Sequence, residues 1–212
     1  MYQPTIVSPS IISFAFKNSL INCFCIKLEG KEYQLCEETS QGEKYWANSK
    51  KGTYGRGLGK TDDDPYKPVR TGLLGEFAFS KVFGTKVDLE YKKGGDHHDT
   101  LLGGLTIDLK TAMKNYGAGL IYQQNQWKKI IPLKSDLYVF AFIHHENRGD
   151  GWANIRIVGY LTQEEIKKCP IKPARKGFHF NYEVEYDKVR PIGELYDNYI
   201  EKRKEEQEQN NF

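Results

Sequence analysis

The spacing of apolar side chains divides the chain into a series of expected elements. Residues 11–16 and 20–28 are rich in aromatic and β-branched types and predict two strands, with Glu29-Gly30-Lys31 turning into a third at 32–36. From 69 to 83 apolar residues occupy almost the whole helical circumference, as in a buried helix, and Gly84 supplies the stop. Residues 86–91 predict a strand, and 99–110 place two short apolar runs on either side of Gly103-Gly104, the pattern of a tight hairpin. Residues 114–130 predict a helix, while the continuous apolar run at 136–143 suits a strand covered on both faces. A turn at 146–151 leads to an alternating strand at 152–160, and Thr162 with Glu165 forms a capping box opening a short helix. The last expected helix, 193–209, is apolar early and charged afterwards. Three regions follow: a β-rich and basic extension at 1–60, an α/β core at 61–190, and a C-terminal helix with a charged tail at 191–212.

The hairpin concentrates the candidate chemistry. With a two-residue turn, Leu102 pairs with Leu105 and Asp99 falls opposite Asp108, their Cβ atoms about 5 Å apart. Alternation puts Lys110 on the face of Asp108, and Leu105, Ile107 and Leu109 on the other. Two carboxylates about 4 Å apart repel by roughly 4 kcal/mol at an effective dielectric near 20, so a cation is expected between them. Lys110 supplies part of that compensation, and a hard divalent ion such as Mg²⁺, which takes oxygen ligands, would supply more. The competing interpretation is a surface hairpin in which Lys110 merely bridges to Asp108, worth under about 1 kcal/mol. Asp96, in the preceding loop with His97 and His98, rivals Asp99 but falls on the opposite face in the same register. Glu76 lies among Phe79, Ser80 and Phe83 on the buried helix, where a carboxylate is costly unless paired or protonated. That position also suits a metal ligand.

Composition adds bounds. The chain has 212 residues, 39% of them hydrophobic, enough for one good core. The net charge of +3 permits nucleic-acid binding without arguing for it. Between 44 and 60 the chain turns basic and aromatic without an acid, and Lys50, Lys51, Tyr54, Arg56 and Lys60 are candidates to neutralise phosphates and stack on bases; a solvated loop is the plainer alternative. Lys167, Lys168, Lys172, Arg175 and Lys176 could extend a phosphate-binding rim. Cys23, Cys25, Cys36 and Cys169 form no regular framework, so a reducing, cytoplasmic (intracellular) setting is expected. No run approaches the 18 apolar residues of a membrane span, and the start has no basic leader region.

Asp99 followed by Asp108-Leu109-Lys110 resembles the signature of the PD-(D/E)XK nuclease superfamily, with His98 where the proline of the name would stand. The similarity extends over about residues 69–165: a helix bearing Glu76, the hairpin, then strand, turn, strand and capping box. It implies a restriction-endonuclease-like core, a central mixed β-sheet flanked by helices, beside the N-terminal β-rich extension. It further implies a Mg²⁺-dependent DNA endonuclease, of restriction, recombination or phage/mobile-element type, in which Mn²⁺ can substitute. Asp99, Asp108 and Glu76 would hold metal, Leu109 would lend its carbonyl, and Lys110 would position or activate the attacking water. Gln123 stands where some relatives carry a Gln-x-x-x-Tyr motif, although Trp127 replaces the last residue. The implied partner is double-stranded DNA, and a homodimer would allow paired cuts. The alternative is a catalytically silent nucleic-acid-binding module of the same fold.

Overall fold

The computed structural model describes residues 6–7, 9–16, 19–42, 64, 66–89, 98–124, 129–173 and 180–209. The central layer is a mixed, largely antiparallel sheet of seven strands. β1 (Ser10–Phe16) and β2 (Ser19–Glu29) form a hairpin, and β2 pairs with β7 (Trp152–Thr162) through Phe24 opposite Ile157. β7 is antiparallel to β6 (Leu137–Asn147), and β6 is parallel to β4 (Leu105–Ala112), which carries β3 (Thr100–Leu102) at the far edge. The short β10 (Arg190–Pro191) adds to the end of β7. A second, three-stranded sheet is ordered β5 (Ala118–Gln124), β9 (Phe180–Glu185), β8 (Ile171–Pro173).

The expected two-sided burial of the 136–143 run is what the layers require. Val139, Ala141 and Ile143 turn towards α1 (Lys31–Gln41), α2 (Lys67–Phe83) and α4 (Ile192–Gln209), in one core with Cys36, Leu74, Phe77 and Leu195. Tyr138, Phe140 and Phe142 turn the other way, against Ile121 and Val184 of the small sheet and Ile166 of α3 (Gln163–Ile166). Two glycines set these layer distances. A Cβ on Gly75 of α2 would sit 1.8 Å from Thr111 Oγ1 of β4, and one on Gly119 of β5 would sit 2.3 Å from a ring carbon of Phe140. Backbone therefore lies directly against side chain on both faces of the β4–β6 pair.

Three expected elements are corrected. Residues 32–36 belong to helix α1, whose buried Tyr33, Cys36 and Ser40 recur at helical spacing. Residues 118–124, expected inside a helix, form strand β5 paired with β9, and Gly119 passes the Phe140 ring at a distance no side chain allows. Among the described residues 86–89, Val87 makes only an isolated bridge where a strand was expected at 86–91; residues 90 and 91 lie outside the described residues. The N-terminal hairpin proves continuous with the central sheet through β2 and β7. Among the described residues, no helix is long and apolar enough to cross a membrane.

An ion network ties the helical layer to the β6–β7 turn. The nearly buried Arg70 of α2 gives Nη1 to Asp64 at 2.6 Å and Nε to Glu146 at 2.9 Å, with Glu37 of α1 3.3 Å away. Arg148, in the turn, reaches the same Glu37 and Asp64, both at 3.0 Å. Burial works against the Asp64 carboxylate, but Arg70, the Tyr66 amide and Arg148 outweigh it and hold its pKa below the usual range.

Candidate functional site

The β3–β4 turn is a two-residue turn with Gly103 at φ 55° and Gly104 at φ 85°, the left-handed pair that a tight hairpin demands. The register follows: Leu102 opposite Leu105 and Thr100 opposite Ile107. At Asp99 the ladder stops and the chain bends. The Asp99 amide still donates to the Ile107 carbonyl at 2.8 Å, but the Leu109 amide donates to Asp99 Oδ2 at 2.6 Å, a side chain doing the work of a strand carbonyl. That bond brings the Asp99 carboxyl to Asp108, within hydrogen-bonding reach. N–H and C=O of one strand residue point the same way. The Leu109 carbonyl therefore faces the Asp99 side, beyond the end of β3.

Asp108 and Lys110 share the face that looks away from α2. Their ion pair is 2.6 Å long, with Lys110 33% and Asp108 22% exposed, so the pair stays within reach of solvent. Burial, and then the charge of Asp108, push the Asp99 carboxyl up to about 7, against the pull of Lys110 and the Leu109 amide. Burial also opposes the Lys110 ammonium, but Asp108 and Asp99, with Tyr138 behind them, overcome it and hold its pKa above the ordinary lysine value. Lys110 is thus a fixed cation at neutral pH, and Asp99 is a carboxyl that holds its proton more tightly than usual. The strand end is fixed from below by Asp136, whose Oδ2 accepts from the Thr106 amide at 2.8 Å and its hydroxyl at 2.6 Å.

Other residues singled out in the sequence fall elsewhere. Glu76 does not join the pair: α2 covers the face of β4 bearing Ile107 and Leu109, and the charge of Glu76 is felt by Cys36 of α1. A helical wheel reveals that Glu76 is half-buried but not which side of a sheet its helix will cover. Among the described residues, no three His, Cys, Asp or Glu side chains converge as a metal-holding group. Gln123 lies in β5 and not on a helix. Lys50, Lys51, Tyr54, Arg56 and Lys60, like Asp96, His97 and Trp127, lie outside the described residues. Of the basic C-terminal set, Lys167 pairs with Glu164 and Lys172 with Glu183, each at 2.5 Å. The four cysteines are free thiols. Tyr138, which sequence reading did not single out, stands beside Asp108 in the parallel register and accepts from the Lys134 amide at 3.0 Å. Only the β4–β6 pairing could have revealed it.

The donor set suits a hard cation. Asp99, Asp108 and the Leu109 carbonyl offer oxygen alone, and Asp99 is pushed up first by burial and then by the charge of Asp108. No protein-family model, no curated protein and no solved structure matches this chain.

Proposed function

We propose that this protein is a metal-dependent nuclease of the PD-(D/E)XK type, with a restriction-endonuclease-like core, hydrolysing phosphodiester bonds in DNA. One observation carries the reading: Asp99, Asp108 and Lys110 meet at the end of a hairpin, with the Asp99 carboxyl pushed up to about 7 against its neighbour. Asp99, Asp108 and the Leu109 carbonyl are the residues that would hold Mg²⁺ or Mn²⁺. The bound ion would supply Lewis acidity towards the scissile phosphate and the departing oxygen. The chain's own contribution is electrostatic. Asp99 gives up its proton as it becomes a ligand, and the Leu109 amide keeps its carboxylate in place. Lys110, held protonated, serves as a donor that orients water or steadies charge on phosphate oxygens, and not as a base. Glu76 has no part in this reading, since α2 lies across the sheet.

The test is cleavage of supercoiled plasmid with Mg²⁺ or Mn²⁺, beside EDTA, Asp108→Ala and Lys110→Ala. Metal-dependent nicking that both variants lose is the expected result. Lys110→Ala should still bind Mn²⁺ while Asp108→Ala should not, because one residue positions and the other ligates. Absence of metal-dependent cutting on plasmid, branched and single-stranded DNA alike would overturn the reading. DNA bound but never cut would identify a silent binding module.

A further inference from the structure

A cleft of about 690 Å³ opens beyond the carboxyl ends of β4 and β6, the parallel pair of the central sheet. The volume falls within the usual range for small-molecule sites. Asp99, Asp108 and Lys110 do not line it. Its rim carries Lys67 at the start of α2, Lys114 just past β4, and the exposed His144 and His145 of β6.

The electrostatics of this cleft are one-sided. Glu146 is the acid in its wall, and its Oε1 already accepts from Arg70 Nε at 2.9 Å and the Tyr33 hydroxyl at 3.0 Å. Behind the rim, the guanidinium of Arg156 lies 5.9 Å from the ring centres of both Phe14 and Phe142, and its buried Nε has no hydrogen-bond partner among the described residues. Burial, then the charges of Arg156 and His145, hold His144 below the ordinary histidine range. Such surroundings favour an anion over a further cation. The cleft also offers a flat surface, since Tyr116 in its wall is 64% exposed. Aromatic rings of this kind accept a base by stacking.

We propose that this cleft binds a nucleotide phosphate, with Lys114 and His144 meeting the phosphoryl oxygens and Tyr116 stacking on the base. The site stands apart from the Asp99–Asp108 pair and requires no metal. Its ligand is either a free nucleotide or one unit of a nucleic-acid strand, two sources that share the same chemistry.

The experiment uses the full chain in EDTA and follows the ring C–H signals of His144 and His145 by NMR. The probes are inorganic phosphate, AMP and a short oligothymidylate. All three should perturb both histidines, with AMP binding more tightly than phosphate. Lys114→Ala and His144→Gln, both at exposed positions, should each weaken AMP about fivefold to tenfold, roughly 1–1.4 kcal/mol. In His144→Gln the remaining His145 signal is followed. A response to the oligonucleotide but not to AMP would assign the strand as the source, and equal affinity for phosphate and AMP would overturn the Tyr116 contact. No perturbation by any probe up to about 10 mM, weaker than any useful affinity, would overturn the proposal, as would variants that bind like the parent. Asp108→Ala should bind AMP unchanged, which separates this site from the nuclease reading.

Discussion

Replacing Asp99 by Asn removes a charge while keeping the shape of the protonated carboxyl. The amide oxygen can still accept from the Leu109 N–H, and the amide nitrogen can donate to Asp108, so the geometry of the hairpin end is preserved. In the parent, Asp99 binds its proton more tightly folded than unfolded, because its pKa rises from 3.8 to about 7. The stabilisation from that proton is complete below about pH 4 and is lost as pH rises through about 7. At 1.36 kcal/mol per pH unit the full span corresponds to about 4 kcal/mol. Solvent reaches the pair and screens its charges, so about 1–3 kcal/mol is the figure to test. The assay is urea unfolding of parent and Asp99→Asn in EDTA at pH 5 and pH 8. The parent should lose that 1–3 kcal/mol, about 2–10 °C in melting temperature, between the two pH values, and the variant should lose much less. At pH 8 the variant is therefore the more stable protein. Adding Mg²⁺ should restore the parent and leave the variant unchanged. Parallel pH dependence in the two proteins, or a variant less stable at pH 8, would refute the account of Asp99 as a strained carboxyl.

Three further outcomes follow from the packing. Gly75→Ala forces a methyl against Thr111 Oγ1 and should cost about 1–3 kcal/mol in urea unfolding, far more than the helix propensity it gains. Arg70→Ala leaves Glu146 without its cation and Asp64 and Glu37 with Arg148 alone, and should cost about 2–4 kcal/mol. The lowered Asp64 pKa contributes stability that is lost as pH falls through it, so the Arg70 variant, left with Arg148 and the Tyr66 amide, should keep only part of it and show a shallower acid limb in pH-dependent unfolding. Thr162→Ala breaks the capping box in which Thr162 Oγ1 accepts from the Glu165 amide at 3.2 Å, and should cost about 1 kcal/mol, seen as a small drop in melting temperature.

What could be read from the sequence was local. Gly103-Gly104 dictates the turn, the turn dictates the register as far as Thr100 opposite Ile107, and the register puts Asp99 next to the stretch that holds Asp108 and Lys110; the last step, the Leu109 amide drawing in the Asp99 carboxyl where the ladder ends, is local too. The buried run at 136–143 and the Thr162–Glu165 box were legible for the same reason. What stayed hidden depends on partners distant in sequence. The strand character of 118–124 comes from pairing with β9, about 60 residues later in the chain. Glu76 could be placed on a buried helix, but the face of the sheet that helix covers is decided by Thr111 meeting Gly75. The Arg70 network draws acids from α1, the segment before α2 and β6, and no periodicity announces it. For α1 the signal was present, since Tyr33, Cys36 and Ser40 repeat at helical intervals, but the β-rich reading of the preceding run was carried too far.

The pairing of β2 with β7 also has a temporal side. Phe24 must find Ile157, a partner about 130 residues later in the chain. During synthesis at roughly 5–20 residues per second, the N-terminal hairpin is made well before the strand it docks on, a gap on the order of 10 s. Throughout that interval β2 is an open sheet edge whose inward side chains, Phe24, Ile26 and Leu28, have no core to enter. The hairpin carrying Asp99 and Asp108 waits less, because β6 follows β4 by only about 30 residues. Its chemistry can therefore be assembled on β4 and β6 as soon as they pair, while closure of the sheet by its first-made strands comes last.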